Sequence, residues 1–254
     1  MNIIVPIKLV PDLVEELRID EKELALDPEW LRSKLNEFDD HAIEQALLLK
    51  EGNAGQVIVI ALDIESAEEA LFTAAAKGAD RIIKLIDDFG QPVNNHTLAR
   101  LLAAIIRKLQ PGLILTGVQA HNDLDGPLGP LLAEYLGFPY VGYVADIRLN
   151  DDHVTVRKEF PGGIVAEMEV FLPTVLGIQA AQQPPRYVAF SKIRQAMKSF
   201  DLEEKPVVDV DTSGGPLVTR MYQPVSGERA ELIQGNAEEV AARFVGIFSE
   251  LGVL

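Results

Sequence analysis

The segment Leu113–Leu136 reads LILTGVQAHNDLDGPLGPLLAEYL. The run Leu113–Thr116 predicts a strand that is buried on both faces of a parallel sheet. The residues from Leu131 onward predict a helix. A glycine- and acid-rich loop between a buried strand and a helix is where open α/β sheets bind nucleotides. The stretch therefore predicts an α/β fold with a nucleotide site in this loop.

Strands and helices alternate along the first half of the chain. Apolar runs predict strands at Asn2–Ile7, Gln56–Leu62, Arg81–Leu85 and 113–117. Helical patterns predict helices at 36–50, Glu65–Lys77, Asn95–Leu109 and 126–136. Asn36 is expected to cap the first helix, with Asp39 at the capping-box position. This alternation is typical of a doubly wound α/β fold with a mainly parallel sheet.

The pattern changes after about residue 140. Short strands separated by turns are predicted at Val144–Leu149, Val154–Glu159, Val165–Phe171 and Thr174–Ile178, and we expect them to extend the same sheet as antiparallel strands. From Gln182 onward the chain has little periodic structure until a final helix at about 237–251. We therefore expect a nucleotide-binding α/β domain at residues 1–200 and a C-terminal arm at 201–254. The arm either packs on its own domain or wraps a partner subunit.

Charge and residue usage exclude several classes of function. The 254 residues carry a formal net charge of −16, which repels nucleic acid and anionic membrane surfaces. The chain has no cysteine, which excludes disulfides, thiolate catalysis and zinc–sulfur sites. No apolar run approaches the ~20 residues of a membrane span, and the N-terminus lacks a signal-peptide pattern. We therefore expect a cytoplasmic protein that binds no nucleic acid and does not insert into a membrane.

No catalytic or metal-binding arrangement competes with the loop. The histidines lack metal-ligand spacing, and Asp123 and Asp125 are better explained as solvated or helix-capping residues than as a metal pair. The G-x-S-x-G, Walker and G-x-G-x-x-G motifs are absent. We therefore predict no catalytic residue and no metal site. The phosphates of a bound nucleotide are expected where Gly126, Leu128 and Gly129 offer N–H donors; the alternative is a tight turn without a ligand.

The segment Pro185–Arg194 has an unusual composition for this chain. It carries two aromatic residues and three cations although the protein is acidic. Exposed aromatic residues surrounded by charge are typical of docking surfaces. We therefore expect this segment to contact another protein.

Seven segments spread over nearly all of residues 1–200 resemble the β subunit of electron-transfer flavoprotein. In order along the chain they read IIVPIKLVPD, NEFDDHAIEQA, AAKGADR, LILTGVQAHND, VRKEFPGG, LPTV and PPRY. Each segment alone is a weak signal, but their order and spacing together are specific. The resemblance implies an adenine-nucleotide-binding, HUP-like fold.

The resemblance also implies a role in electron transfer. The chain would form a heterodimer with a flavin-carrying α subunit, which would hold most of the FAD, and its arm would wrap that subunit. AMP, or a second FAD in electron-bifurcating members, would lie in this chain. Electrons would pass from acyl-CoA-type or other flavin dehydrogenases toward a membrane quinone oxidoreductase or another acceptor. The subunit would be an electron carrier component and not an enzyme.

The resemblance assigns roles to individual positions. It places the nucleotide site at Pro6, Asn36, Leu62, Gly117, Val118, Gln119, Ala120, Asp123, Asp125, Gly126, Leu128 and Gly129. Glu159 falls where the family has an acid near the partner's flavin. Docking of the dehydrogenase is assigned to Arg186, Tyr187, Phe190 and Ile193, with Phe190 at the tip of the loop.

The loop departs from both versions of the family's motif. AMP-binding members have an acid run followed by Asn-Gln, whereas this loop reads HNDLDGPLGP. Its closing L-G-P is similar to the bifurcating version, but Asp125 stands in the place of a threonine. The ligand stays open between AMP, FAD and neither. A stand-alone nucleotide-binding module on the same fold is the alternative function.

Overall fold

The computed structural model describes residues 1–52, 55–86, 93–207, 210–211, 213–225, 227 and 230–254. Its strands are β1 (Asn2–Pro6), β2 (Leu9–Pro11), β3 (Ser33–Leu35), β4 (Gln56–Leu62), β5 (Arg81–Ile86), β6 (Pro111–Gly117), β7 (Tyr140–Leu149), β8 (His153–Phe160), β9 (Ile164–Phe171), β10 (Thr174–Ile178) and β11 (Leu202–Pro206). Its α-helices are α1 (Glu37–Glu51), α2 (Ala67–Lys77), α3 (Asn95–Ile106), α4 (Leu128–Leu136), α5 (Phe190–Ser199) and α6 (Ala237–Glu250).

A nine-stranded sheet in the order β11-β5-β4-β1-β6-β10-β7-β8-β9 forms the centre of the fold. The strand pairs from β11 to β7 are parallel, and the pairs β7–β8 and β8–β9 are antiparallel. The strands β2 and β3 form a separate antiparallel pair. The doubly wound, mainly parallel α/β fold with an antiparallel extension is therefore confirmed.

The central strands are apolar on both faces because helices cover both faces. Ile3 and Val5 of β1 pack on the side that holds α1 and α2. Ile4, between them in sequence, packs on the opposite side with α3 and α4. Successive side chains of a strand point to opposite faces, so a continuous apolar run is what two covered faces require.

One strand of the predicted antiparallel extension is parallel instead. β10 lies between β6 and β7 and runs parallel to both. All five of its residues are buried. A strand without an exposed position needs neighbours on both sides and covered faces, which the centre of a parallel sheet provides. The antiparallel prediction for Thr174–Ile178 was wrong.

Two elements that the sequence reading missed follow residue 182. In α5 only Ile193 and Ala196 are buried, so its apolar pattern is too short to predict a helix. β11 has the polar sequence LEEKP and extends the sheet beyond residue 200 by pairing with β5. Ion pairs stabilise this edge, since Arg81 contacts Glu203 at 2.6 Å and Lys84 contacts Glu204 at 3.0 Å.

Several helix boundaries differ from the prediction. α2 begins at Ala67 and α4 begins at Leu128, each two residues later than predicted. α3 ends at Ile106 and continues as a short 3₁₀ turn, Arg107–Leu109. The terminal turn of a helix commonly tightens in this way.

The chain divides into two compact units, Met1–Met221 and Tyr222–Leu254. The second unit contains α6, which begins with a capping box formed by Asn236 and Glu239. The rings of Phe244 and Phe248 stack on this helix at 6.1 Å, and none of its 14 residues is buried. Within the described ranges, no helix combines the length and the apolar character that crossing a bilayer requires.

Gly129→Ala is expected to destabilise the sheet unit. A Cβ at this position in α4 would lie 2.7 Å from Tyr140 Cε2 and 2.8 Å from Thr116 Oγ1. Such overpacking costs about 1–3 kcal/mol, measured as a lower free energy of unfolding in urea. Gly246→Ala in α6 is the matched control because its Cβ would have nothing within 4 Å. Equal effects of the two substitutions would contradict this account of α4 packing.

Candidate functional site

The candidate site lies where β1 and β6 separate at their carboxyl ends. Their register ends at the pair Ile4–Ile114. Beyond it, β1 stays paired with β4 as far as Pro6, and β6 stays paired with β10 as far as Gly117. The helix after β4 covers one face of the sheet and the helix after β6 covers the other. This is the topological switch point at which open α/β sheets form a crevice.

The carboxylate of Asp39 joins the segment just after β1 to the end of β6. Its Oδ2 accepts the backbone N–H of Lys8 at 2.8 Å, and its Oδ1 accepts the N–H of Gly117 at 2.7 Å. Asp39 is only 4 % exposed, and burial raises the pKa of its carboxyl to about 6, although the N–H groups of Lys8 and Gly117 act in the opposite direction. This residue therefore does not form the predicted capping box but links the segment after β1 to the end of β6.

A second polar network fixes the loop that follows β6. The Lys8 ammonium lies 2.5 Å from Asp123 Oδ1 and 2.9 Å from Asn95 Oδ1. The amide nitrogen of Asn95 donates to Asp123 Oδ1 and to the Gly126 carbonyl, both at 2.7 Å. The other oxygen of Asp123 accepts the Ala120 N–H at 2.8 Å. The charge of Asp123 is therefore neutralised within the chain.

Asn36 and Asp125 make different contacts from those predicted. Asn36 precedes α1 but caps no N–H of that helix; it donates to the carbonyl of Gln119 at 3.0 Å. Asp125 does not start the following helix. Its Oδ2 accepts the N–H of His96 at 3.2 Å, in the first turn of α3. The negative charge of Asp125 therefore faces the positive end of α3.

The N-terminus of α4 is the part of the site that offers free donors. α4 follows Pro127, has no acidic residue in its first turn, and receives no side-chain cap from the residues that the structure describes. The hydroxyl of Thr116 is buried beside Gly129 and has no hydrogen-bond partner within the described chain. Uncapped N–H groups at a helix N-terminus favour an anion.

Gly117 lets α1 approach this part of the site closely. A Cβ on Gly117 would lie 2.5 Å from Asp39 Oδ1 and 2.8 Å from Phe38 Cβ. Any larger side chain would push the first turn of α1 away from the end of β6. The glycine is therefore required by the close approach.

The structure brings most of the predicted nucleotide-site residues to one edge of the sheet. Pro6, Leu62 and Gly117 end the strands β1, β4 and β6. The loop residues that the resemblance assigned follow Gly117 and lead into α4: Val118, Gln119, Ala120, Asp123, Asp125, Gly126, Leu128 and Gly129. Glu159 lies elsewhere, exposed on β8 and paired with Val165 of β9.

The predicted docking residues divide into two exposed and two anchoring side chains. Tyr187 is 89 % exposed and Phe190 is 56 % exposed. Ile193 is buried in the core beneath α5. Arg186 contacts Glu44 at 2.7 Å and Glu51 at 2.7 Å, both on α1, and so fixes the segment that precedes α5.

Comparisons with known proteins agree with this geometry. A family model described as "Electron transfer flavoprotein domain" matches residues 24–210. The chain belongs to the electron transfer flavoprotein β-subunit family. Proteins named "Electron transfer flavoprotein subunit beta" are similar over nearly the full length: the one from Methylophilus methylotrophus is 32% identical and the one from Clostridium acetobutylicum 33%, each with 98% of both chains covered. The Bacillus subtilis protein of that name is 28% identical, with 97% of both chains covered.

Three side chains of the site were not identified from the sequence. Lys8 and Asn95 lie 115 and 28 residues from Asp123 in sequence, so only the fold shows that they meet. Thr116 ends an apolar run and was counted as part of the strand. A lysine directly after a buried strand was the one available signal, because charged side chains at strand ends in α/β folds often face the site.

Asp39→Asn is expected to change how stability depends on pH. The pKa of Asp39 is about 6 in the folded protein against an ordinary 3.8, so the folded state binds this proton more tightly. The stabilisation that comes from protonating Asp39 is present at low pH and is lost as the pH rises through 6. Between pH 5 and 7.5 the free energy of unfolding of wild type should fall relative to D39N by about 1–2 kcal/mol in urea titrations. Parallel pH profiles of the two proteins would contradict this assignment.

Proposed function

We propose that this chain is the nucleotide-holding subunit of a heterodimeric electron transfer flavoprotein. It binds AMP, or FAD in its place, in the crevice between β1 and β6. It helps to hold the FAD that lies mostly in an α subunit, and it docks a flavin dehydrogenase through the segment before and at the start of α5. Electrons then pass toward a quinone oxidoreductase or another acceptor, in the cytoplasm.

The free N-terminus of α4 is the observation that carries the nucleotide proposal. The described residues neutralise the acidic side chains around it: Asp39 accepts two backbone N–H groups, Asp123 pairs with Lys8, and Asp125 faces α3. The N–H groups of Gly126, Leu128 and Gly129 are then the donors for a phosphate. The unpartnered Thr116 hydroxyl adds a polar group beside the same turn. The site thus fits a phosphate although the chain is acidic.

The orientation of Asp125 is compatible with either AMP or FAD in the crevice. A carboxylate without a partner in the place of the family's threonine would repel a diphosphate. Because Asp125 accepts the His96 N–H, its charge is directed toward α3. Asp125 is therefore no reason to prefer the monophosphate of AMP over the diphosphate of FAD, and a bifurcating subunit with FAD in this site is the alternative.

The exposed apolar side chains supply the proposed contact with the α subunit. Phe244, Val245 and Phe248 are exposed on α6 and are the groups that an arm wrapping the partner would bury. On the sheet extension, Phe160 and Ile164 are exposed at the hairpin next to Glu159. We assign Glu159 to the side that faces the partner's flavin. FAD supplies the redox chemistry when bound, while this chain's residues position the nucleotide and the partner.

The docking proposal rests on α5 and on the residues just before it. Tyr187 and Phe190 project from a segment that Arg186 and Ile193 hold in place. The guanidinium carbon of Arg194 lies 4.7 Å from the centroid of the Phe190 ring, so a cation borders this aromatic side chain. An aromatic anchor with a cationic border fits an apolar pocket on a partner that has acidic groups at its rim.

Pro127→Asp is expected to weaken nucleotide binding. The new carboxylate would cap α4 by accepting the Gly129 N–H and would place a negative charge where the phosphate binds. The dissociation constant of the nucleotide, measured by calorimetry on the heterodimer, should rise roughly tenfold or more. Pro127→Asn supplies a similar cap without the charge and should have a smaller effect. Equal affinities in P127D and wild type would contradict a phosphate at this helix.

Phe190→Asp is expected to weaken the transfer of electrons from the dehydrogenase. Replacing an exposed aromatic anchor with a charge should slow reduction of the flavoprotein roughly tenfold or more at limiting dehydrogenase concentration, measured by stopped-flow absorbance. The bound nucleotide should stay in place, because Phe190 lies outside the β1–β6 crevice. Gln195→Asp introduces the same charge on an exposed position of α5 and should have little effect. Unchanged kinetics for F190D would contradict the docking role.

A further inference from the structure

Asp39 bonds to the backbone on both sides of the crevice, at Lys8 and at Gly117. Hydrogen bonding between β1 and β6 stops at Ile4–Ile114, so the ends of the two strands have no direct ladder. The Asp39 carboxylate replaces that ladder with bonds of 2.8 and 2.7 Å to Lys8 and Gly117. Its two oxygens thereby fix the distance between the strand ends.

A carboxylate is the group that this bridge requires. Two N–H donors approach from different segments, Lys8 just after β1 and Gly117 at the end of β6, and a carboxylate offers one acceptor oxygen to each. An asparagine amide offers one oxygen and turns its own donor toward the second N–H. Burying a carboxylate without a cation bonded to it is costly, which is why the pKa of Asp39 is raised to about 6. Retaining so costly a group is consistent with a positional role.

The consequences of this bridge reach every part of the loop. Holding the Lys8 peptide directs the Lys8 side chain to Asp123, at the middle of the loop. Holding the Gly117 peptide fixes the end of β6, from which the loop starts. Asn95, which contacts the same ammonium, holds the Gly126 carbonyl at the end of the loop.

We propose that Asp39 is the positioning residue of the nucleotide site, setting the width of the β1–β6 crevice and ordering the loop Gly117–Gly126 before the nucleotide binds. The proposal rests on the nucleotide-binding function proposed above. Asp39 acts through the backbone of Lys8 and Gly117 and does not itself contact the nucleotide. The loop then presents the N-terminus of α4 without a rearrangement at the moment of binding, which lowers the entropic cost of binding.

The test compares D39N and D39A with D40N in the heterodimer purified with its α subunit. Asp40 is the matched control because it is the next residue of α1 and pairs with Lys77 on α2, away from the loop. The first readout is the dissociation rate of the adenine nucleotide that is bound in the β1–β6 crevice. We expect roughly a tenfold increase in D39N, a larger one in D39A and less than a twofold change in D40N.

The second readout is hydrogen exchange of the backbone amides at Lys8 and in Gly117–Gly126. These amides should exchange faster in D39N than in wild type, and in D40N they should exchange as in wild type. Because exchange does not require a bound ligand, it separates the two proposals. A wild-type heterodimer that holds no adenine nucleotide besides the FAD of the α subunit overturns the nucleotide function. The exchange rates then decide the role of Asp39 by themselves.

Unchanged loop exchange in D39N overturns the positioning role. If the wild-type heterodimer holds the nucleotide, an unchanged rate of nucleotide dissociation in D39N overturns it as well. If both Asp39 variants fail to fold, Gly117→Ala replaces them. Its Cβ would lie 2.5 Å from Asp39 Oδ1 and would displace the carboxylate. Faster exchange of the Lys8 amide in G117A supports the role of Asp39, because this amide is bonded to the other carboxylate oxygen, and wild-type exchange at Lys8 overturns it.

Discussion

The separation of β1 and β6 at their carboxyl ends is the constraint on which the site depends. The sheet must be covered on both faces, so α1 and α2 lie on one side and α3 and α4 on the other. The segments that follow β1 and β6 therefore turn toward opposite faces of the sheet. Beyond the pair Ile4–Ile114, no backbone hydrogen bonds of the ladder join the two strands. The resulting crevice needs internal polar bonds to keep its shape. Asp39, Lys8 and Asn95 supply them.

Charge is arranged around the crevice so that an acidic chain can accept an anion. The formal net charge is −16, and three carboxylates lie near the loop. Each of them already has a partner in the chain: backbone N–H groups for Asp39, an ammonium for Asp123 and the start of α3 for Asp125. The first turn of α4 lacks such a carboxylate. The uncapped first turn of α4 therefore favours an anion locally, although the net charge of the chain is negative.

The sequence predicted the sheet centre and the position of the loop because both depend on local patterns. The sequence itself shows the continuous apolar runs at β1, β4 and β6 and the loop after Gly117. β11 was missed because its LEEKP sequence is stabilised by ion pairs with β5, which only the fold brings together. The roles of Asp39 and Lys8 were missed for the same reason. Ile193, which the resemblance assigns to docking, is buried in the core beneath α5, and the sequence alone did not show which side of this helix is covered.

The most direct test of the central claim is to identify the ligands that the intact heterodimer releases. The chain would be co-expressed with its α subunit, the complex purified, and the released nucleotides separated by chromatography and counted per heterodimer. We predict one FAD together with one further adenine nucleotide, either AMP or a second FAD. A heterodimer that releases a single FAD and no second adenine nucleotide would contradict a nucleotide site between β1 and β6.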